Sequence, residues 1–358
     1  MIELFPPAQT RKRFGREALT WLALVVVLVG GTRAASASAL RGTVMPLPTQ
    51  RSAVGTAVHK DAGHTIKVHA LPGVKGGLEF TIGADGNFWV GDDPDNAVLK
   101  VSPKGKLLKK IVFPESNAGI LAVANGSDGN EWIVERNTGN IYKITPKGKT
   151  TLYSGVIASG CLALFDTPGP DGNVWFTTDF CGLGKVTPSG VVTMCTFPNY
   201  GDQILAVVAG ADGNMWYNLG FNGSPGYIGA VSTSCATGPQ YEYASSTGGG
   251  IGLTVGPDSK LWFTASAPGE IGKVSTTGGL AVYPQSATMG GIVSGPNGDL
   301  YFAQANPDAI GRITTNGKVT LFTNGMPSGC YPQWVVIGSD KKVWFTCSNL
   351  GAMGEVAP

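Results

Sequence analysis

Gly169-Pro170-Asp171-Gly172-Asn173-Val174-Trp175-Phe176-Thr177 decides the fold, because the chain repeats it. Close copies run Gly83-Ala84-Asp85-Gly86-Asn87-Phe88-Trp89, Gly126-Ser127-Asp128-Gly129-Asn130-Glu131-Trp132 and Gly210-Ala211-Asp212-Gly213-Asn214-Met215-Trp216. Looser ones follow at Gly256-Pro257-Asp258 with Trp262, Gly295-Pro296-Asn297-Gly298 with Tyr301, and Gly338-Ser339-Asp340 with Trp344. The seven aromatic markers are spaced 43, 43, 41, 46, 39 and 43 residues apart. A period near 42 is the length of one four-stranded propeller blade. The spacing predicts an all-β, seven-bladed β-propeller of antiparallel blades.

Each unit resolves into strands. Apolar runs such as Ile120–Ala124 and Ile204–Ala209 predict the innermost strand, and Asp-Gly predicts a tight turn with positive φ. The strand carrying Trp follows. A third strand reads Ile-Gly-(Lys/Arg)-(Val/Ile)-(Ser/Thr), as at Ile271–Ser275 and Ile310–Thr314. A fourth alternates, as at Lys318–Phe322. One Trp per blade at a fixed phase reads as packing between blades. The last unit stops after a third strand over Ala352–Val356, while Thr65–Pro72 reads as a fourth strand without a blade of its own. The N-terminal strand is therefore expected to complete the last blade and close the ring, which removes exposed sheet edges.

Outside the repeats the chain changes character. Arg11, Lys12, Arg13 and Arg16 precede an apolar run from Leu19 to Val29 and the small residues Ala35–Ala39. This is the pattern of a secretory signal peptide over residues 1–39, with cleavage after Ala37 or Ala39. Residues 40–64 read as a flexible leader and 65–358 as the propeller. Secreted, periplasmic or cell-envelope location follows, and no membrane role beyond the signal segment. The formal net charge is +2, of which residues 1–39 hold a surplus of three, leaving −1 for the remainder. Without a basic field there is nothing to hold nucleic acid. With 53 glycines and 23 prolines in 358 residues, a helix bundle is excluded as well.

These repeats resemble the virginiamycin B lyase (streptogramin lyase) family, most closely at Gly169–Thr177 with Gly184–Pro188 and at Gly256–Thr264 with Ile271–Ser275. The resemblance spans residues 65–358. It implies a metal-assisted elimination that opens a cyclic depsipeptide antibiotic at its ester bond. Such chemistry calls for a general base, typically His, and carboxylates around a divalent ion such as Mg²⁺. The position after Trp-Phe-Thr, often Glu in that family, holds Asp92, Glu135, Thr178, Leu219, Ala265, Gln304 and Cys347 here. Asp92 and Glu135 are thus the candidate catalytic residues. The only histidines, His59, His64 and His69, precede the ring or sit on its proposed outermost strand, so no catalytic His carries over.

Asp92, Asp93 and Asp95 form an acidic loop with hard oxygen ligands for Ca²⁺ or Mg²⁺, set against the plainer reading of a solvated turn. Six cysteines in the exported part predict disulfides. Hairpin geometry brings Cys161 to Cys181; Cys330 with Cys347 is offset by three residues, and that pairing and Cys195 with Cys235 stay open. The reading drawn is a monomeric binding or scaffold propeller without the lyase histidine, with a small molecule, a peptide or an envelope component as partner. The alternative is a metal-dependent depsipeptide lyase. A six-bladed-type lactonase would need an axial carboxylate cage that the sequence does not supply, and a purely structural envelope role is the third possibility.

Overall fold

The computed structural model describes residues 52–53, 58–61 and 63–358, apart from 75, 77–78, 159, 180, 197–202, 221–225, 245–250 and 266–268. The expected signal peptide, residues 1–39, lies outside the described residues. Seven sheets form seven blades. Each innermost strand contacts that of the next blade, and the seventh contacts the first, so the ring is complete.

The repeat motif has a physical reading in every blade. The Asp of each turn accepts the buried indole N–H four residues on. Oδ1 to Nε1 is 2.9 Å for Asp171–Trp175, 3.0 Å for Asp212–Trp216 and 2.9 Å for Asp258–Trp262. Where blade 6 replaces Trp by Tyr301, Asn297 bonds the phenol instead, at 2.8 Å. A buried Trp needs such a partner for its polar edge. The lysine of the third strand lies over the same ring, with Nζ 5.2 Å from the centroid for Lys185–Trp175 and 4.9 Å for Lys273–Trp262. The glycine before that lysine lets a phenylalanine lie across the sheet. A Cβ on Gly184 would stand 2.0 Å from the Phe176 ring, and one on Gly311 2.0 Å from Phe302. In two of the three looser turns the left-handed position falls to Ser259 and Lys341, with φ of 58° and 63°.

Lys67–Ala70 pairs antiparallel with Ala352–Val356 as the fourth strand of blade 7, in the register Lys67 to Glu355 and Ala70 to Ala352. Two expectations need correction. The leader is not wholly flexible: Ser52–Ala53 adds a parallel strand to the outer edge of blade 5, and Val58–Asp61 adds one to blade 6. Unpaired outer-edge amides and carbonyls offer ready hydrogen bonds to a passing chain. The innermost strand of blade 2 covers only Ala124–Asn125, not Ile120–Ala124. Its upstream residues turn their backbone toward neighbours instead. Leu121 O accepts the Glu79 N–H of blade 1 at 3.1 Å, and Gly119 O accepts that of Arg136.

Three disulfides, Cys161–Cys181, Cys195–Cys235 and Cys330–Cys347, leave no free cysteine among the described residues. Three disulfides suggest an oxidising, extracytoplasmic environment. The first and third each staple the two ends of an inner hairpin, and the second ties blade 3 to blade 4.

Candidate functional site

If the motif is scaffold, function belongs to side chains that break the repeat, and these gather in blades 1–3. One group occupies the rim where the Trp strands end. Asp92 closes the second strand of blade 1 fully buried, and a short 3-10 turn, Asp93–Asp95, follows. Lys110, from the outermost strand of the same blade, reaches both Asp92 Oδ2 (3.2 Å) and Asp95 Oδ2 (2.5 Å). Burial works against its ammonium, but the two carboxylates outweigh it and raise the lysine pKa. Asp93 is raised by burial, against the pull of Arg136 and the Ile120 N–H. Arg136 Nη2 in turn pairs with Asp179 Oδ2 at 3.1 Å. Burial raises Asp179 too, against Arg136.

Glu135 is fully buried, and its Oε2 accepts from the Thr138 hydroxyl and from Asn140 Nδ2 at 3.0 Å. It ties down the turn that follows its strand. Burial lifts its pKa, those two donors oppose the rise, and the neighbouring Glu115 adds to it. Glu115 accepts from the Tyr142 hydroxyl at 2.7 Å. Asp92 is thus held by Lys110 within blade 1, and Glu135 by Thr138 and Asn140 within blade 2.

A divalent ion fits this rim poorly. The proposed ligands Asp92 and Asp95 already face an ammonium, while Asp93 feels the positive charge of Arg136. No three His, Cys, Asp or Glu side chains among the described residues converge on one point as metal ligands. The histidines are elsewhere: His59 is exposed on the added outer strand, and His64 bonds Asp61 at 3.1 Å. His69 stacks on Trp344 with ring centroids 5.3 Å apart.

The second group lies along the axis. A cavity of about 130 Å³ is lined by the inner strands of blades 1 and 3–7. Its lining side chains are apolar except for Glu79, Asp166 and Thr167. In sheet register, the counterparts of Asp166 are Phe80, Val207, Leu253, Ile292 and Val335. Asp166 is 6% exposed, and neither of its carboxylate oxygens has a hydrogen-bond donor in line. Glu79 Oε2 is also buried without a partner. Burial drives both well above the usual carboxylate range; for Glu79 the nearby Asp166 adds to it. The amides of Asp166 and Ala124 offset this only in part for Asp166.

Behind them sits Glu131, at the position before Trp where the other blades carry Phe88, Val174, Met215, Leu261, Leu300 and Val343. It is fully buried, neither oxygen is hydrogen-bonded, and burial, then Asp85 and Asp166, push it up to about 8. Sequence reasoning passed over Glu79, Asp166, Arg136 and Asp179. The available signal was an acid inside a strand whose sister strands are apolar at the same register.

Seven four-stranded blades built on one Trp-centred motif define a seven-bladed β-propeller. The family model of the virginiamycin B lyases matches residues 64–289 and 205–358, and the chain belongs to that family. Among solved structures it is similar to selenomethionine-substituted virginiamycin B lyase from Staphylococcus aureus. That likeness is 24% identity and TM-score 0.72, over 82% of this chain and 99% of that one. A catalytically inactive histidine-to-alanine variant of the S. aureus enzyme with quinupristin gives 23% and 0.74 over the same shares. A streptogramin B lyase structure gives 24% and 0.72, over 82% of this chain and 97% of that one. At these identities the likeness is one of fold. No curated protein matches the chain significantly.

Proposed function

We propose that this protein is an exported binding propeller of the virginiamycin B lyase family that does not carry out the ring-opening elimination. One observation carries the reading: all three histidines sit on the outer strands or the leader, and none reaches the rim or the channel. In the S. aureus relative, by contrast, changing a histidine to alanine gives a catalytically inactive protein. Abstraction of a proton beside a carbonyl needs a positioned base, and its absence commonly costs ~10²–10⁴-fold. Lys110 between Asp92 and Asp95 supports the same conclusion, since these candidate metal ligands are already paired with an ammonium. Residues 1–39 act as the signal peptide, and the three disulfides form after export.

The test is to incubate the mature protein with quinupristin, with and without Mg²⁺, and follow linearisation by mass spectrometry. The expected result is no ring opening above buffer. Linearisation that Glu135→Gln abolishes would overturn the reading and make the rim a variant active site.

A further inference from the structure

The turns between third and fourth strands lie at the rim opposite Asp92, and in blades 1 and 2 they break the repeat. They read Pro103-Lys104-Gly105-Lys106 and Pro146-Lys147-Gly148-Lys149, against Pro188-Ser189-Gly190-Val191 in blade 3 and Thr276-Thr277-Gly278-Gly279 in blade 5. A hydroxyl fastens each turn: Ser102 Oγ accepts the Lys106 N–H at 3.1 Å, and Thr145 Oγ1 that of Lys149 at 3.0 Å. Lys109 joins the two, its ammonium donating to Lys147 O at 3.1 Å. In sheet register its counterparts are Thr151, Thr193, Ala281 and Thr320. The third-strand lysines are neutralised, Lys100 by Asp85 at 2.5 Å and Lys143 by Asp128 at 3.7 Å. Lys104, Lys106, Lys109, Lys147 and Lys149 are exposed, and no described carboxylate lies within ion-pair distance of them.

The same corner leaves a sheet edge open. Among the described residues no strand lies beyond Leu107–Val112 of blade 1 or Thr150–Tyr153 of blade 2. Blades 5 and 6 take Ser52–Ala53 and Val58–Asp61 as parallel fifth strands, so a blade edge of this protein accepts an extended segment. Leu108 and Val112, 50% and 64% exposed, stand on the open strand of blade 1. Lysines on an edge strand commonly ward off stray pairing. Lys104, Lys106, Lys147 and Lys149, however, precede their strands and guard no edge. Nor does the leader complement the corner, since residues 40–51 hold Arg41 and Arg51 and no carboxylate.

We propose that the outer edge of blade 1, with the adjoining lysine turn of blade 2, is the docking site for an acidic, extended peptide segment of a partner protein. The segment adds as a fifth strand alongside Leu107–Val112, with backbone hydrogen bonds supplying the pairing. Its carboxylates meet the unpaired ammonium groups, and its apolar side chains cover Leu108 and Val112. A lipid surface or a phosphate polymer would use the charges but leave the sheet edge unpaired. The proposal goes beyond the function proposed above and holds whether or not the protein opens quinupristin.

Fluorescence anisotropy of a labelled octapeptide of alternating Glu and Val, titrated with the mature protein, tests this. Saturable binding is expected, weakening at least tenfold as NaCl rises from about 0.01 M to about 1 M and the screening length shrinks from ~30 Å to ~3 Å. Lys104→Glu combined with Lys106→Glu should weaken it tenfold or more, and Lys147→Glu with Lys149→Glu should show a smaller loss. If a reversed variant does not fold, Lys104→Gln with Lys106→Gln is expected to show a loss of the same sign. Lys318→Glu, at the matching turn of blade 6 whose edge is already occupied, should leave binding unchanged. N-methylating every second backbone nitrogen of the peptide, in one phase or the other, removes its donors to the edge, and one phase should cost tenfold. Four results overturn the proposal. They are no saturation by about 1 mM protein, where ~4 kcal/mol would suffice; binding unchanged in the lysine variants; equal binding of both methylated peptides; or tighter binding of polyphosphate or phosphatidylglycerol vesicles than of the peptide.

Discussion

Glu131→Gln changes one buried acid at a position where every other blade is apolar, and its consequence is a slope against pH. The folded protein holds the Glu131 proton up to about pH 8, whereas an ordinary glutamate releases it near 4.5. Below 4.5 the group is neutral in both states and ionisation costs nothing. As pH rises from there the unfolded chain gains stability by ionising while the folded chain cannot, so stability is lost steadily up to about 8 and no further. At about 1.4 kcal/mol per unit the full loss is roughly 5 kcal/mol. Coupling to Asp166, whose own carboxyl is held well above the usual range, lowers the share of Glu131 itself to about 3–5 kcal/mol. Glutamine introduces an unsatisfied buried amide worth about 1–3 kcal/mol at every pH, so the diagnostic quantity is the change in the difference, not its level. Urea denaturation followed by tryptophan fluorescence at half-unit steps from pH 4 to 9 measures it. The variant is expected to gain about 3–5 kcal/mol on the parent between pH 4.5 and 8. Glu131→Met, matching Met215 of blade 4, should add stability at all pH values. A difference that stays flat over this window, or changes only below pH 4.5, would refute the assignment of a raised pKa to this carboxyl.

The remaining predictions concern the scaffold. Deleting residues 40–62 removes the added strands on blades 5 and 6 and should lower the melting temperature modestly. Extending the deletion through residue 72 removes Lys67–Ala70, opens the ring and should collapse cooperative unfolding; equal melts for the two deletions would contradict strand closure. Lys341→Gly places glycine at a left-handed turn position and should stabilise the protein by about 1 kcal/mol in denaturant titration. No gain would mean that the turn carries no strain.

The rim and the channel differ in how they can be read. Asp92 and Glu135 stand at a fixed offset from Trp89 and Trp132, so a repeat alignment finds them, but it cannot say what they touch. Lys110 reaches Asp92 from eighteen residues away, and only the pairing of third and fourth strands brings it there. Arg136 and Asp179 meet across two blades in the same way. Glu79 falls outside the motif altogether. Asp166 stands three residues before its motif glycine, in step with Val207 and Val335, but the chain alone does not show how deeply its carboxylate is buried. The leader escaped because outer-edge pairing uses backbone groups and leaves no side-chain pattern.

The sequence by itself determined the blade number, the strand order within each blade and the closure by an N-terminal strand. These rest on local rules: Asp-Gly turns, a Trp that needs one acceptor, and a glycine under each Phe, repeated at a constant period. Tertiary structure alone decided which carboxylates share a space. Glu79, Glu131 and Asp166 lie in three different repeats, and their interaction exists only because ring closure places blades 1, 2 and 3 around one axis. Electrostatic coupling depends on distance and burial, and neither quantity is carried by position along the chain.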